Sequence, residues 1–169
     1  MIVAVDVYYF ETGAKVVGVL FDSFLATTPS AILEKMLPLQ EEYEPGAFYK
    51  RELPCLLQLL HTLNLEEIEV VVVDGYVYLD EDKKSGLGYY LYQALGEKIP
   101  VVGVAKSYFF ASTNLVKEVY RGESKKPLYV SAVGLSLDVA QSAIQQMYGD
   151  FRMPYLLKLM DTETKKIEK

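Results

Sequence analysis

Two carboxylates occupy positions in this chain where burial would carry a large free-energy cost. Asp6 lies inside the apolar run of residues 1–10, and Asp74 ends the apolar run of residues 68–74. A carboxylate in or at the end of a buried strand is expensive to desolvate unless a partner offsets the cost. A divalent cation is one such partner, so these two positions raise the question of which metal chemistry the chain supports.

The scarcity of histidine and cysteine narrows that chemistry. His61 is the only histidine and Cys55 the only cysteine, which excludes sites that need two imidazoles and most Ser-His-Asp or Cys-His arrangements. We interpret His61 as a surface or helix-end residue and Cys55 as a core residue. A metal site in this chain would therefore be rich in oxygen ligands, which favours Mg²⁺ or Mn²⁺ over zinc.

Length and composition indicate a single globular domain over residues 1–169. Hydrophobic residues make up 51% of the 169 positions, which argues against disorder. No apolar stretch reaches the ~18 residues of a membrane span, and the chain enters a strand at once, without the pattern of a signal peptide. Together with the lone cysteine, these features predict a cytoplasmic protein without a membrane partner.

The charge of the chain gives no support to general nucleic-acid binding. The net charge is −6, whereas proteins that neutralise phosphates are usually basic. Lys117, Arg121, Lys125 and Lys126 form a local basic run, which we interpret as a solvated surface loop.

Hydrophobic periodicity predicts an antiparallel meander followed by alternating helices and strands. Leucines at three- and four-residue spacing predict a helix with Pro54 in its first turn and Glu52 at its N-terminus, where a carboxylate also serves as a cap. Residues 29–37 are apolar but of uncertain type. The predicted strands cover residues 2–10, 15–21, 24–27, 70–73, 100–105 and 128–133, and the predicted helices cover residues 53–63, 86–95 and 136–148, with a helical tail to 160.

This element order is that of a mixed α/β protein. A strand, a helix and a second strand in succession predict a parallel crossover from residue 70 to residue 105. Sites in such sheets gather at the carboxyl ends of the strands, and both Asp74 and Lys106 lie there. The ribonuclease H-like fold has this order, and so do other α/β folds.

Several segments, in sequence order, resemble one nuclease family. They are Val-Asp-Val at residues 5–7, Tyr-Glu-Pro-Gly at 43–46 with Arg-Glu at 51–52, Val-Asp-Gly at 73–75, Pro-Val-Val-Gly-Val-Ala-Lys at 100–106, Pro-Leu-Tyr-Val-Ser at 127–131, and Arg-Met-Pro at 152–154 with Asp161. Together they resemble endonuclease V, a repair nuclease of the ribonuclease H-like superfamily.

The resemblance implies an α/β fold of ribonuclease H-like type, with a mixed sheet in which an antiparallel meander precedes parallel strands, and with flanking helices. It also implies a DNA-repair activity, the hydrolysis of a phosphodiester on the 3′ side of inosine, a deaminated base. The nucleic-acid partner would be single-stranded or damaged DNA, or RNA. The implied cofactor is Mg²⁺ or Mn²⁺.

The resemblance assigns roles to individual residues. Asp6, Glu52 and Asp74 would be catalytic and hold the metal, and Asp138 would complete the ligand set from the last helix. Lys106 would contact a phosphate or the attacking water as a point charge. The resemblance also implies a wedge that parts the bases, formed by Tyr43, Pro45 and Gly46. It further implies that the backbone approaches an extruded base at two glycines, Gly75 and Gly88.

The chain departs from the family pattern around the base and the phosphate. Tyr76, Tyr92 and Leu135 stand where the family has histidines, Val77 stands in place of a glycine, and Glu44 stands where an apolar wedge residue is usual. The acidic run 80–82 replaces a region that normally carries a basic residue. These changes spare Asp6, Glu52 and Asp74, so they bear on substrate range more than on metal binding.

Two other functions stay open at this stage. The chain could be a ribonuclease H-like binding or scaffold protein that has lost catalysis, which the acidic charge and the missing histidines favour. It could also be a metal-dependent phosphohydrolase that acts on small nucleotides. The oligomeric state is not indicated by the sequence.

Overall fold

The computed structural model describes residues 1–38, 48–110 and 114–166, and these contain seven strands and four α-helices. A short 3-10 helix, Leu65–Glu67, precedes the fourth strand. The strands are β1 (Ile2–Phe10), β2 (Gly13–Phe21), β3 (Ala31–Pro38), β4 (Val70–Asp74), β5 (Val101–Ala105), β6 (Lys117–Val119) and β7 (Leu128–Val133), and the helices are α1 (Phe48–Leu60), α2 (Leu87–Ala94), α3 (Leu137–Gln146) and α4 (Tyr155–Lys165).

All seven strands belong to one mixed sheet in the order β3-β2-β1-β4-β5-β7-β6. β1 and β5 each pair with β4 in parallel, and the remaining pairs are antiparallel. Because the central strands β1, β4 and β5 run parallel, the carboxyl ends of β4 and β5 lie at the same end of the sheet. The α/β fold class expected from the sequence is therefore confirmed.

Alternating side chains of the central strands build a core on each face of the sheet. One core joins Val3, Val5 and Val7 of β1 to leucines of α1 and α2. The other joins Ile2 and Ala4 to apolar residues of α3 and α4. Side chains at even positions of β1, including Asp6, therefore point to the side of the sheet that α4 covers.

The third strand of the meander is Ala31–Pro38, and the prediction of a strand at residues 24–27 is wrong. Short polar contacts fold residues 22–30 into a loop instead. The Leu25 N–H donates to the Ser23 hydroxyl over 3.2 Å, and the Ser30 hydroxyl donates to the Asp22 carboxylate over 3.2 Å. Such side-chain bonds to nearby backbone compete with strand pairing.

Helix α1 begins earlier than the leucine pattern predicts. It starts at Phe48, so Pro54 is an internal helix residue and Glu52 lies one turn inside the helix. The interpretation of Glu52 as a helix cap is therefore wrong. Tyr49, in the first turn, stacks on Tyr90 of α2 with ring centroids 3.8 Å apart, and this tertiary contact extends the helix beyond its local signal.

The basic run 117–126 is only partly a solvated loop. Lys117 lies in β6, and Arg121 is buried. The Arg121 guanidinium donates hydrogen bonds to the carbonyls of Met147, Gly149, Phe151 and Arg152, so it fastens the segment between α3 and α4. No helix of the described chain is long and apolar enough to cross a membrane.

Candidate active site

The sheet register places two acids next to each other. Val5 of β1 pairs with Val73 of β4, so the next residues of these parallel strands, Asp6 and Asp74, are neighbours on the same face. Both side chains line a small cavity together with Lys106 and Asp161. Its volume of about 10 Å³ is close to the space of one water molecule.

A third acid reaches the same strand end from the other side of the sheet. Glu52 of α1 and Asp74 both line a larger cleft of about 580 Å³. Asp74 thus borders both the small cavity and the cleft. Further lining residues of the cleft are mainly aromatic or small, namely Tyr49, Gly75, Tyr76, Leu79, Ser85, Gly86, Leu87, Ser107 and Phe109.

Burial is the main cause that raises the pKa of all three acids, and acidic neighbours add to it. Burial, followed by the charge of Asp74, raises the pKa of Asp6 to about 8, although the Val7 N–H donates to its carboxylate over 2.8 Å. Burial and then Asp74 raise the pKa of Glu52 to about 7. Burial also raises the pKa of Asp74, against the charge of Lys106. Within the described residues, none of the three forms an ion pair with a lysine or arginine.

The remaining acid of the small cavity, Asp161, has the opposite electrostatic environment. Asp161 of α4 lies 3.6 Å from the Lys106 ammonium, 3.7 Å from that of Lys158 and 3.2 Å from that of Lys165. Burial alone would raise the pKa of Asp161, but the Lys165 hydrogen bond and the lysine charges together hold this pKa below its ordinary value. Asp161 therefore stays ionised near neutral pH and holds the Lys106 side chain.

The donor atoms at this edge suit a hard divalent cation. Asp6, Glu52 and Asp74 offer carboxylate oxygens, which Mg²⁺ and Mn²⁺ prefer, and their raised pKa values show that neighbouring positive charge would be favourable. The ligands are not preassembled, however. Within residues 1–38, 48–110 and 114–166, no group of three or more His, Cys, Asp or Glu side chains is arranged to hold a metal ion. A cation here would have to draw the carboxylates together.

The loop after β5 is held in place by two residues from elsewhere in the chain. Arg152 donates to the backbone carbonyl of Lys106 and, over 2.6 Å, to that of Pro127. The Tyr76 hydroxyl donates to the Ser107 carbonyl over 2.7 Å and accepts from the Phe109 N–H over 3.1 Å. Lys106 therefore extends from a backbone that is fixed on both sides.

Comparison with known families agrees with this arrangement. A model of the family described as Endonuclease V matches residues 1–162. The chain belongs to the endonuclease V family. No curated protein sequence matches it significantly. The family resemblance found in the sequence motifs is thus confirmed, and the fold of the family is that of the ribonuclease H-like proteins.

Solved endonuclease V structures share the fold of this chain. Human ENDOV is 24% identical with a TM-score of 0.76, over 97% of this chain and 82% of that chain. Endonuclease V of Ciona intestinalis, bound to a 23mer DNA that contains inosine followed by a ribo-adenosine, is 20% identical with a TM-score of 0.77, over 97% and 83%. The catalytic domain of human Endonuclease V is 25% identical with a TM-score of 0.74, over 97% and 80%.

The structure does not group Asp138 with the other predicted metal ligands. Asp138 lies in the first turn of α3 and is exposed, and it lines neither the small cavity nor the cleft. Asp161 instead lines the small cavity with Asp6 and Asp74. The reason is topological, because α3 packs on β6 and β7 whereas α4 packs on β1 and β2.

The two predicted substrate glycines differ in their surroundings. Gly75 lines the cleft, has φ of +141°, and has open space where a Cβ would stand. Gly88 is buried in α2, and a Cβ there would lie 2.8 Å from the Val77 side chain. Gly88 therefore allows close packing of α2 on Val77, and its role in the approach to an extruded base stays a prediction. The predicted wedge residues Tyr43, Pro45 and Gly46 lie outside the described residues.

Asp161 is the site residue that the sequence-based ligand set lacks. It belongs to the C-terminal segment that resembles the family, but that segment is predicted to be helical only to residue 160. A local signal does exist: Lys158 and Lys165 stand three and four residues away on the same helical face, and Leu157 and Met160 beside it are buried. A charged residue flanked in this way is held at the core, not in solvent.

Proposed function

We propose that this chain is a divalent-cation-dependent endonuclease that hydrolyses a phosphodiester on the 3′ side of inosine in DNA or RNA. The observation that carries the proposal is the placement of three half-buried carboxylates, Asp6, Glu52 and Asp74, at one strand end, where they line the small cavity and the adjoining cleft. Membership of the endonuclease V family supports the same reaction, and the inosine-containing DNA in the Ciona intestinalis complex supports the substrate.

Asp6, Glu52 and Asp74 would hold the cation, Mg²⁺ or Mn²⁺. When bound there, the cation supplies the activation of water and the stabilisation of charge on the phosphate. In the cation-free chain, Asp6 with a pKa of about 8 retains its proton at pH 7. Cation binding therefore requires these carboxyl groups to release protons.

Lys106 would place a positive charge where negative charge develops on the phosphate. Asp161 holds the Lys106 ammonium at 3.6 Å, and Arg152 fixes its backbone carbonyl. The Lys106 side chain is 41% exposed, so a substrate can reach it. Gly75 leaves open space in the cleft next to Asp74 for a substrate group.

The proposal is tested by incubating the chain with inosine-containing single-stranded RNA and DNA, in the presence of Mg²⁺ or Mn²⁺. We expect cleavage on the 3′ side of inosine, none with a chelator, and none by the Asp74→Asn variant. Matched strands with adenosine in place of inosine report on base specificity. Absence of cleavage of all strands by the wild-type chain would refute the nuclease function.

A catalytically inactive binding protein is the second candidate, because no preassembled ligand group exists among the described residues. Calorimetric titration with Mn²⁺ separates the two functions. Binding that is lost in Asp6→Asn and Asp74→Asn supports the nuclease, whereas no binding at millimolar Mn²⁺ supports the inactive protein.

A further inference from the structure

Two large aromatic side chains are exposed to solvent two and three positions after Lys106. Tyr108 is 61% exposed and Phe109 is 60% exposed. They occupy the loop that follows β5, so they lie at the strand edge that carries the acids. Exposed apolar area of this kind, gathered next to a site, marks a surface that another molecule covers.

The backbone of these aromatic residues is fixed, which distinguishes them from residues of a loose loop. The Tyr76 hydroxyl binds the Ser107 carbonyl and the Phe109 N–H, and so brackets Tyr108 on both sides. The Tyr76 ring also lies 5.9 Å from the Phe109 ring. Tyr76 itself is buried and follows Asp74 by two positions. The same strand end therefore positions an acid and holds the aromatic loop.

The aromatic surface is continuous with the cleft. Phe109 lines the cleft that also contains Glu52, Asp74 and Gly75. On its other side, Tyr108 makes an edge-to-face contact with Tyr129 of β7 at 5.9 Å. A nucleic-acid strand whose phosphate lies at Asp74 would therefore have Phe109 in the same cleft and Tyr108 next to it.

The charge of the chain explains why base contacts are needed there. With a net charge of −6, the chain gains little affinity from general attraction to phosphates. Stacking of a base on an aromatic ring needs no such charge and tolerates any base, but it requires bases that are unpaired. An exposed aromatic pair beside an acidic site therefore suits a single strand better than a duplex.

We propose that Tyr108 and Phe109 form a stacking platform for unpaired bases of a single-stranded nucleic acid that lies across the acidic cleft. The platform rests on the proposed nuclease function, since it assigns that site a single-stranded substrate. It makes the affinity of the chain for a strand depend on the bases next to the cleaved bond, in addition to the inosine.

The absence of tryptophan from the chain allows a direct measurement. Tyr108→Trp and Phe109→Trp each introduce one fluorophore, and Leu25→Trp is a control because Leu25 is 65% exposed in the β2–β3 loop, at the opposite edge of the sheet. Each variant is titrated, without divalent ions, with a 12-nucleotide inosine-containing DNA strand, the matched RNA strand and the corresponding duplexes. We expect quenching at positions 108 and 109 with single strands and no quenching at position 25.

Alanine variants and abasic strands test whether stacking supplies affinity. Tyr108→Ala and Phe109→Ala should each weaken single-strand binding about 10-fold, and Tyr108→Phe should bind as the wild-type chain does. A strand with abasic residues beside the inosine should bind the wild-type chain with a similar loss, and should show no further loss with the alanine variants.

Three results would overturn the platform: alanine variants that bind as tightly as wild type, losses that are identical for normal and abasic strands, or wild-type binding that is absent or stronger for duplexes. Losses independent of the bases would indicate that Tyr108 and Phe109 contact the sugar-phosphate backbone and do not stack on bases. Cleavage of the same strands with Mn²⁺ separates this proposal from the nuclease. If the strands are cleaved but the alanine variants bind them as tightly as wild type, the platform is refuted and the nuclease function stands. If binding depends on the bases but no strand is cleaved, the nuclease function is refuted and the platform stands.

Discussion

The acids of the small cavity fall into two groups with opposite electrostatic environments. Asp161 on α4 lies near three lysine ammonium groups and its pKa is lowered. Asp6 and Asp74, on the adjacent strands, have acidic neighbours and raised pKa values. The same residue type in the same cavity therefore forms ion pairs with lysines at one place and has none among the described residues at the other, where the charge of Lys106 offsets burial only in part. Asp6 and Asp74, the uncompensated acids in this sense, are the candidates for an external cation.

The largest expected effect is the loss of activity when an uncompensated acid is changed. Asp74→Asn should lower the rate of inosine-strand cleavage by about 1000-fold or more, since a bound cation contributes several kcal/mol of transition-state stabilisation. The measurement is single-turnover cleavage with Mn²⁺. Asp138→Asn, which alters an exposed acid of α3, should cleave at the wild-type rate. Equal losses in both variants would contradict the assignment of the ligands.

A smaller loss of cleavage activity is expected when Asp161, the acid that is paired with lysines, is changed. Asp161→Asn should lower the cleavage rate by about 10- to 100-fold, the range for residues that orient a site residue, because Lys106 loses its partner at 3.6 Å. The maximal rate should fall while the Mn²⁺ concentration for half-maximal rate stays constant. A large rise in that concentration would show instead that Asp161 is a metal ligand.

Metal affinity should depend strongly on pH. Because burial and acidic neighbours raise the pKa of Asp6 to about 8 and that of Glu52 to about 7, protons compete with the cation below these values. Apparent Mn²⁺ affinity should rise roughly 100-fold from pH 6 to pH 8. Calorimetry in buffers of different ionisation enthalpy should show that protons are released on binding. An affinity independent of pH across this window would contradict the raised pKa values.

The smallest effects are on stability, and their signs differ between the two groups. A carboxyl group whose folded pKa is raised destabilises the fold progressively as pH rises from its unfolded pKa, near 4, to its folded value. Metal-free Asp6→Asn should therefore be more stable than wild type at pH 8 by about 1–3 kcal/mol, with little difference at pH 4. Urea unfolding at both pH values measures this difference.

Asp161→Asn should change stability in the opposite direction. A lowered folded pKa stabilises the fold above the unfolded pKa, and this contribution is lost as pH falls through the folded value. At pH 7 the variant should be less stable than wild type by about 1 kcal/mol, and the difference should shrink in acid. If both Asp6→Asn and Asp161→Asn stabilised the fold at pH 8, the result would contradict the division of the acids into two electrostatic groups.

Most of the sheet could be predicted from the sequence because its strands are local patterns. The apolar runs around Asp6 and Asp74 and the turn at Gly13 are visible without tertiary information. The edge strand Ala31–Pro38 was not predicted as a strand, since its apolar residues do not alternate regularly with polar ones and its pairing with β2 is a tertiary feature. The start of α1 was missed for a similar reason, because the Tyr49–Tyr90 stack is a tertiary contact.

The sequence located the candidate acids of the strands better than those of the helices. Asp6 and Asp74 were singled out because they lie in or at the end of apolar runs, and Glu52 because of the resemblance to endonuclease V. Whether Asp138 or Asp161 enters the cavity depends on which helix packs on β1, and the local signal around Asp161 indicates a buried acid without specifying which strand it faces. The anchoring hydroxyl of Tyr76 was likewise absent from the sequence argument, because its partners lie 31 and 33 residues along the chain.

The central claim, that Asp6, Glu52 and Asp74 share a cation, is tested most directly by anomalous diffraction from crystals grown with Mn²⁺ at pH 8. We predict an anomalous peak about 2.2 Å from carboxylate oxygens of these three residues, with Asp161 still bound to Lys106. A peak on Asp161 or Asp138 instead, or no peak at the strand edge, would contradict the account.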